Sequence, residues 1–204
     1  MKSLVIAFML LGSQISLGEA VPEQVEIASL EVNGSGCPRG SVYESVAADR
    51  KAFTLYFSEY NAELGPGISR RFNRQSCQLT VMLNHPKGWR YRLIQFEYRS
   101  YADLDEGVVG TFKSQYYFQA EPNSLDFSTS FEGPMADDLF FGEAVSPTEA
   151  YWSSCELQRA INIKTSIQLR LKQGTSNDST GVIGTDSIDG TIGGQTWRLE
   201  WERC

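Results

Sequence analysis

The sequence predicts an all-β protein: a two-sheet antiparallel β-sandwich of jelly-roll type, stapled by two disulfides. The strongest sign is "INIKTSIQLRLK", residues 161 to 172, where Ile161, Ile163, Thr165, Ile167, Leu169 and Leu171 alternate with Asn162, Lys164, Ser166, Gln168, Arg170 and Lys172. A period of two is the mark of a half-buried strand. The 7 prolines and the glycines near them cut the chain into short extended pieces, and no stretch carries a convincing amphipathic helix. Finally, the 4 cysteines all follow an export leader, and an even number in an exported chain argues for disulfides.

The leader is residues 1 to 20, made of Lys2, the apolar run "LVIAFMLLG", and a polar stretch closing on the small residues Gly18 and Ala20. This is a secretory signal, and its apolar core falls short of the roughly 20 residues a spanning helix needs. No later segment comes near that length, so no membrane insertion is expected. Residues 21 to 204 then read as a single sandwich domain.

Within it, Phe53, Leu55 and Phe57 share one parity, and Cys77, Leu79, Val81 and Leu83 share another, which points Cys77 into the core. Between Trp89 and Tyr98 the parity switches, from Trp89, Tyr91 and Leu93 to Ile94, Phe96 and Tyr98, as a bulge or a bent strand would require. Residues 174 to 195, rich in Gly, Ser, Thr and Asp, read as a hairpin or binding loop. The last strand sets Trp197, Leu199 and Trp201 against Arg198, Glu200 and Glu202. Were it to pair with 161 to 172, its outward acids would face the outward bases of that strand.

Lys2 and Glu19 cancel, so the net charge of −7 holds with or without the leader. An acidic surface repels phosphate backbones, which argues against a nucleic-acid partner. Three pairings of the cysteines exist. The sequential one, Cys37 with Cys77 and Cys155 with Cys204, is expected because each bridge then ties neighbouring elements of one half of the chain. A cysteine metal site is a poor alternative, since there is no Cys-x-x-Cys pair and the lone His85 has no cysteine near it.

Seven stretches run in order through nearly all of residues 21 to 204: "GSGCP" at 34, "CQL" at 77, "YRSYADLDEG" at 98, "SQYYF" at 114, "WSSC" at 152, "INIKTSIQLRL" at 161 and the terminal "LEWERC". On them the chain resembles the family of small secreted proteins, mostly of filamentous fungi with bacterial members, catalogued as domain of unknown function 4360. Ser100 and Ser154 stand where that family is expected to carry glycine and proline. The resemblance implies export, a β-rich fold and two disulfides from these four cysteines, and it brings no catalytic residues.

Each cluster of reactive side chains has a plain structural reading beside a chemical one. His85 precedes a proline at a strand end, where a solvated turn histidine is ordinary, and no G-x-S-x-G elbow accompanies it. Glu200 and Glu202 have the alternate spacing of a glycosidase acid pair but lie opposite Trp197 and Trp201, and Glu97 stands alone, so a solvated edge explains them more simply. In "YRSYADLDEG", Tyr98 and Tyr101 offer rings to a sugar, while Asp103, Asp105 and Glu106 offer oxygens to a cation such as Ca²⁺. These five are the candidate ligand-binding residues, weighed against ordinary turn chemistry. "TDSIDG" at 185 to 190 and the pair Asp137 and Asp138 stand on the same footing. Asn33-Gly34-Ser35 and Asn177-Asp178-Ser179 are acceptors for N-glycans in a eukaryotic secretory pathway.

The functional expectation is a secreted, monomeric, non-enzymatic binding or surface-interaction module that needs no cofactor, extracellular or, in a Gram-negative bacterium, periplasmic. With 4 Trp, 9 Tyr and 11 Phe, polysaccharide or another cell-surface component is the first ligand class. The alternatives are a carbohydrate-active hydrolase using paired carboxylates and a protein-directed effector or inhibitor.

Overall fold

The computed structural model describes residues 20–184 and 193–204, so the leader and "TDSIDG" at 185–190 lie outside the described residues. The strands in chain order are β1 (Glu26–Asn33), β2 (Val42–Val46), β3 (Ala52–Phe57), β4 (Asn61–Leu64), β5 (Arg74–Asn84), β6 (Trp89–Leu104), β7 (Val108–Phe118), β8 (Leu125–Glu132), β9 (Met135–Ala144), β10 (Ile161–Leu171), β11 (Gly181–Gly184) and β12 (Gly194–Arg203). There is no helix among the described residues. The strands form two antiparallel sheets, the sandwich that the alternation predicts. One sheet is five-stranded, in the order β1-β5-β10-β7-β8. The other is seven-stranded: β2-β3-β12-β6-β11-β4, with β9 on the remaining edge of β6. The sixteen-residue β6 is long enough to take β12 and then β11 along one edge.

The parity rules decide what lies between the sheets. From one side come Leu79, Val81, Ile161, Ile163, Ile167, Leu169 and Phe112, and from the other Phe53, Leu55, Phe57, Leu93, Leu199 and Trp197, all at most 5% exposed. Aromatic rings cross the midplane, as with Tyr98 against Phe112 at 4.4 Å and Phe96 against Tyr116 at 5.1 Å. Buried hydroxyls need partners, and three of the core tyrosines find them in neighbouring hydroxyls, whereas the Tyr91 hydroxyl has none among the described residues. The Tyr98 and Tyr116 hydroxyls both donate to Ser114 Oγ (3.1 and 2.7 Å), and Tyr60 shares a 2.7 Å bond with Thr165. Burial pushes the Tyr60, Tyr91 and Tyr98 phenols far up, so these rings stay neutral.

The parity switch is a bulge. Leu199 pairs with Leu93 and Arg198 with Gln95, leaving Ile94 as the extra residue of β6. Cys37 is bonded to Cys77 and Cys155 to Cys204, with Cα atoms 5.5 and 5.9 Å apart. The first bridge ties the turn after β1 to the middle of β5, and the second ties the connection between β9 and β10 to the end of the chain.

One conditional pairing does not occur, and one expectation is corrected. β10 and β12 do not pair, since β10 lies between β5 and β7 in one sheet and β12 between β3 and β6 in the other. Glu200 and Glu202 therefore face Arg92 and Arg90 of β6. His85 is not a solvated turn residue. It is 9% exposed, with its ring edge-on to Tyr91 and Trp201 at 5.7 and 5.3 Å.

Candidate binding face

The outward positions of the five-stranded sheet are almost all polar, and antiparallel register lines them up in rows. Gln78, Lys164, Gln115 and Asp126 form one row across β5, β10, β7 and β8. Ser76, Ser166, Lys113 and Ser128 form the next, and Arg74, Gln168, Thr111 and Ser130 the one after. A groove of about 660 Å³ crosses these rows, lined by Asn33, Arg74, Gln78, Lys113, Gln115, Asp126 and Lys164 with the serines between them. Its rim beside Asn33 is shaped by Gly34, whose φ is +146° and whose missing Cβ would stand 2.2 Å from the Ser76 carbonyl oxygen.

Hydrogen bonds hold parts of this face in place. Gln115 Nε2 donates to Asp126 Oδ1 at 3.0 Å, Ser124 Oγ donates to Asp126 Oδ2 at 2.9 Å, and Thr111 and Ser130 share a 3.1 Å bond. The ammonium of Lys164 stands 5.2 Å from the centre of the Tyr117 ring, a cation–π contact. Among the described residues, no carboxylate lies within ion-pair distance of Arg74, Lys113 or Lys164. Such a face can accept and donate hydrogen bonds along an extended polymer and attract negative charge.

A second cavity, about 380 Å³, opens where residues 121–125 meet the connection between β9 and β10. Leu93, Phe118, Leu125 and Ile161 floor it, Tyr117, Tyr151 and Trp152 wall it, and Glu121, Asn123 and Ser154 give it polar atoms. The backbone of Ser153 donates to Tyr91 O at 2.7 Å and its hydroxyl accepts from Tyr91 N at 2.9 Å, fixing this connection to β6. Trp152 is pinned by the guanidinium groups of Arg90 and Arg92, 4.9 and 4.6 Å from its ring.

The five residues singled out in "YRSYADLDEG" are not brought together. Tyr98 and Tyr101 are an odd number of residues apart, so they point to opposite faces of β6. Tyr98 is 2% exposed in the core, whereas Tyr101 lies on the outer face of the seven-stranded sheet opposite Asp138. Loss of solvation, then the carboxylates of Asp103, Asp138 and Asp137, push the Tyr101 phenol up. Asp103 is exposed on that same face, and Glu106 is exposed in the turn from β6 to β7.

Asp105 is a latch. Its Oδ2 accepts from the backbone N–H of Thr180 at 2.7 Å and from the Thr180 hydroxyl at 2.9 Å, and these bonds hold its carboxyl below the ordinary value of 3.8. The turn closes with Val108 N donating to Asp105 O at 3.0 Å. Gly107 makes it fit, with φ at +79° and a Thr175 hydroxyl 2.2 Å from where a Cβ would stand. Among the described residues, no three His, Cys, Asp or Glu side chains come together to hold a metal ion. Glu97, Glu200 and Glu202 are engaged by Arg198, Arg92 and Arg90 respectively.

The groove residues were visible as the outward half of each alternation, but their convergence was not. Nothing in Gln78, Gln115 and Lys164 says that β5, β7 and β10 are neighbours.

The model of a family described as "Domain of unknown function (DUF4360)" matches residues 23–204. A protein of Arthroderma benhamiae described as an uncharacterized secreted protein is 34% identical over 183 residues, covering 90% of this chain and 73% of its own length. Among solved structures, TmCBM61 in complex with β-1,4-galactotriose aligns with a TM-score of 0.29 at 11% identity, over 88% of this chain and 91% of its own. The CBM22 tandem domain of Paenibacillus barcinonensis Xyn10C aligns with a TM-score of 0.27 at 12% identity, over 85% of this chain and 46% of its own. Likenesses this distant carry nothing about ligands to this chain.

Proposed function

The chain is a secreted protein belonging to the Domain of unknown function (DUF4360) family, and from that premise we propose that it is a non-enzymatic module whose five-stranded sheet holds an extended polysaccharide across its outer face. The observation that carries this reading is the row Gln78, Lys164, Gln115 and Asp126, four polar side chains from four adjacent strands along one groove. Polysaccharides present hydroxyls in a regular line, and amides, hydroxyls and a fixed carboxylate satisfy them without a deep cavity. The strands beneath are fixed by a closely packed core, so the donors and acceptors are held in place before the ligand arrives and little ordering is needed. Tyr117, on β7 two residues beyond Gln115, supplies a ring beside the Lys164 ammonium.

The test is retention on a panel of insoluble polysaccharides together with a glycan array. The natural protein should be retained by at least one polymer class, and the pair Gln78→Ala with Gln115→Ala should weaken that retention roughly tenfold, the loss expected for two such contacts at about 0.5 to 1.5 kcal/mol each. Blank results for the natural protein on every polymer would overturn the proposal.

A further inference from the structure

We infer that the polysaccharide held on this face is an anionic one, carrying carboxylate or sulfate groups that Arg74, Lys113 and Lys164 neutralise. This rests on the reading that the face binds polysaccharide. The chain carries a net charge of −7, yet three exposed cations are collected in one groove. Five cations elsewhere are matched: Arg90, Arg92 and Arg198 each meet a glutamate across the ladder, and Arg159 and Lys172 meet Glu121 and Glu132, whereas the groove gathers three that meet none among the described residues.

Among the described residues lining the groove the only carboxylate is Asp126, on the edge strand β8, and both of its oxygens are engaged, by Gln115 and by Ser124. Lys113 sits two residues along β7 from Gln115, the residue opposite Lys164, so the two lysines are diagonal neighbours across the ladder, roughly 7 to 8 Å apart at their Cα atoms. Both lysines are exposed along the same groove, so an anionic chain lying in it meets two positive charges in succession. The negative charge elsewhere does not cancel their pull, because screening in physiological salt limits it to about 8 Å. Tyr117 anchors the Lys164 ammonium from one side and leaves the rest of it open to the groove.

The experiment is affinity electrophoresis through gels containing polygalacturonate, fully methyl-esterified polygalacturonate, dextran sulfate or dextran, at about 0.05 and 0.2 M NaCl. Retention is expected with polygalacturonate or dextran sulfate and not with their uncharged counterparts, and which of the two retards more assigns carboxylate or sulfate. Three neutralised charges make retention fall roughly tenfold or more between the two salt concentrations. Lys113→Gln with Lys164→Gln should cost about tenfold and flatten the salt dependence, while Arg170→Gln, the same charge change on the same strand as Lys164 but outside the groove, should leave retention within about twofold. Unchanged thermal melting shows that each variant is folded.

Equal, salt-insensitive retention by the neutral polymers overturns the anionic inference and leaves the polysaccharide reading standing. Retention by none of the polymers overturns both. Equal retardation by a single-stranded oligonucleotide of matched charge overturns the assignment to saccharide.

Discussion

The outer faces of the two sheets are built by the same alternation and end up opposite in chemistry. On the seven-stranded sheet, arginines and glutamates stand across from one another: Arg90 against Glu202, Arg92 against Glu200 at 2.7 Å, and Arg198 against Glu97 at 3.5 Å. Arg90 and Arg92 also stack on Trp152, and Arg99 stands 5.9 Å over the exposed ring of Phe140. On the five-stranded sheet, Arg74, Lys113 and Lys164 stand among amides and hydroxyls instead. Exposed pairs contribute little to stability, so the first face gains little from its matching. What matching does is use up the charges where β6 runs beside β12, and that patch has little left to offer a ligand, whereas Asp103 and Asp138 farther along β6 and β9 are in no ion pair among the described residues. The difference marks the β6–β12 patch as a finished surface and the groove of the five-stranded sheet as an unfinished one.

The strongest way to break this contrast is through the two disulfides, because one serves each face. Cys37–Cys77 holds the turn beside Asn33 at the groove rim, and Cys155–Cys204 holds the connection that carries Trp152 over Arg90 and Arg92. With sequence separations of 40 and 49 residues, each bridge restricts the unfolded chain by about 4 kcal/mol. Replacing either pair by alanine should lower the urea midpoint to a similar extent. Only loss of Cys37–Cys77 should also weaken polysaccharide retention, measured in a buffer where both variants remain folded. Equal losses of retention would show that the groove is not confined to the face it is drawn on.

The two tyrosines of "YRSYADLDEG" give a smaller and sharper contrast. Tyr98→Phe removes a buried hydroxyl bonded to Ser114 beneath the groove and should cost about 1 kcal/mol, Ser114 keeping its second donor in Tyr116. Tyr101→Phe, the same change on the outer face of the other sheet, should stay within about 0.5 kcal/mol. Chemical denaturation of both proteins measures the difference, and equal costs would contradict the assignment of Tyr98 to the core and Tyr101 to the surface.

This pair also shows how far the sequence could be read. Alternation alone places Leu79, Ile163 and Trp197 inside, locates the bulge near Ile94, and separates groove residues such as Lys164 and Gln115 from the core, because side-chain direction along a strand is a local property. Strand adjacency is not local. It set β10 beside β5 and β7 rather than β12, and so decided that Glu200 meets an arginine of β6 while Lys164 meets two glutamines. His85 was misread for the same reason: the aromatic rings that bury it, Tyr91 and Trp201, come from strands whose positions nothing near residue 85 reveals.

Within the matched face, Arg92 with Glu200 is the best-sheltered pair, with side chains 17% and 28% exposed. A double-mutant cycle over Arg92→Ala and Glu200→Ala should give a coupling of no more than about 1 kcal/mol. Arg92→Ala alone should cost more than Glu200→Ala, because it also strips the Trp152 ring of a stacked guanidinium. Polysaccharide retention should be indifferent to all three variants, and a drop in retention would mean that the ligand reaches around to this face.

The smallest expected effect is one of pH, at the turn that links the two sheets. The Asp105 carboxyl is held low in the folded chain by the two hydrogen bonds from Thr180, and in the unfolded chain it reverts to its ordinary value near 3.8. A folded value below the unfolded one stabilises the fold above the unfolded value, and the contribution is lost as the pH falls through the lowered one. Asp105→Asn should therefore melt below the natural protein at neutral pH, by no more than about 2 °C, and the gap should close as the solution is taken down through the acid range. Melts recorded from neutral to strongly acidic pH measure the gap, and a gap independent of pH would show that the Asp105 charge plays no part in the latch. Because the latch joins the β6–β7 turn to Thr180, away from the groove, its release should leave the proposed binding face intact at pH values where the fold survives.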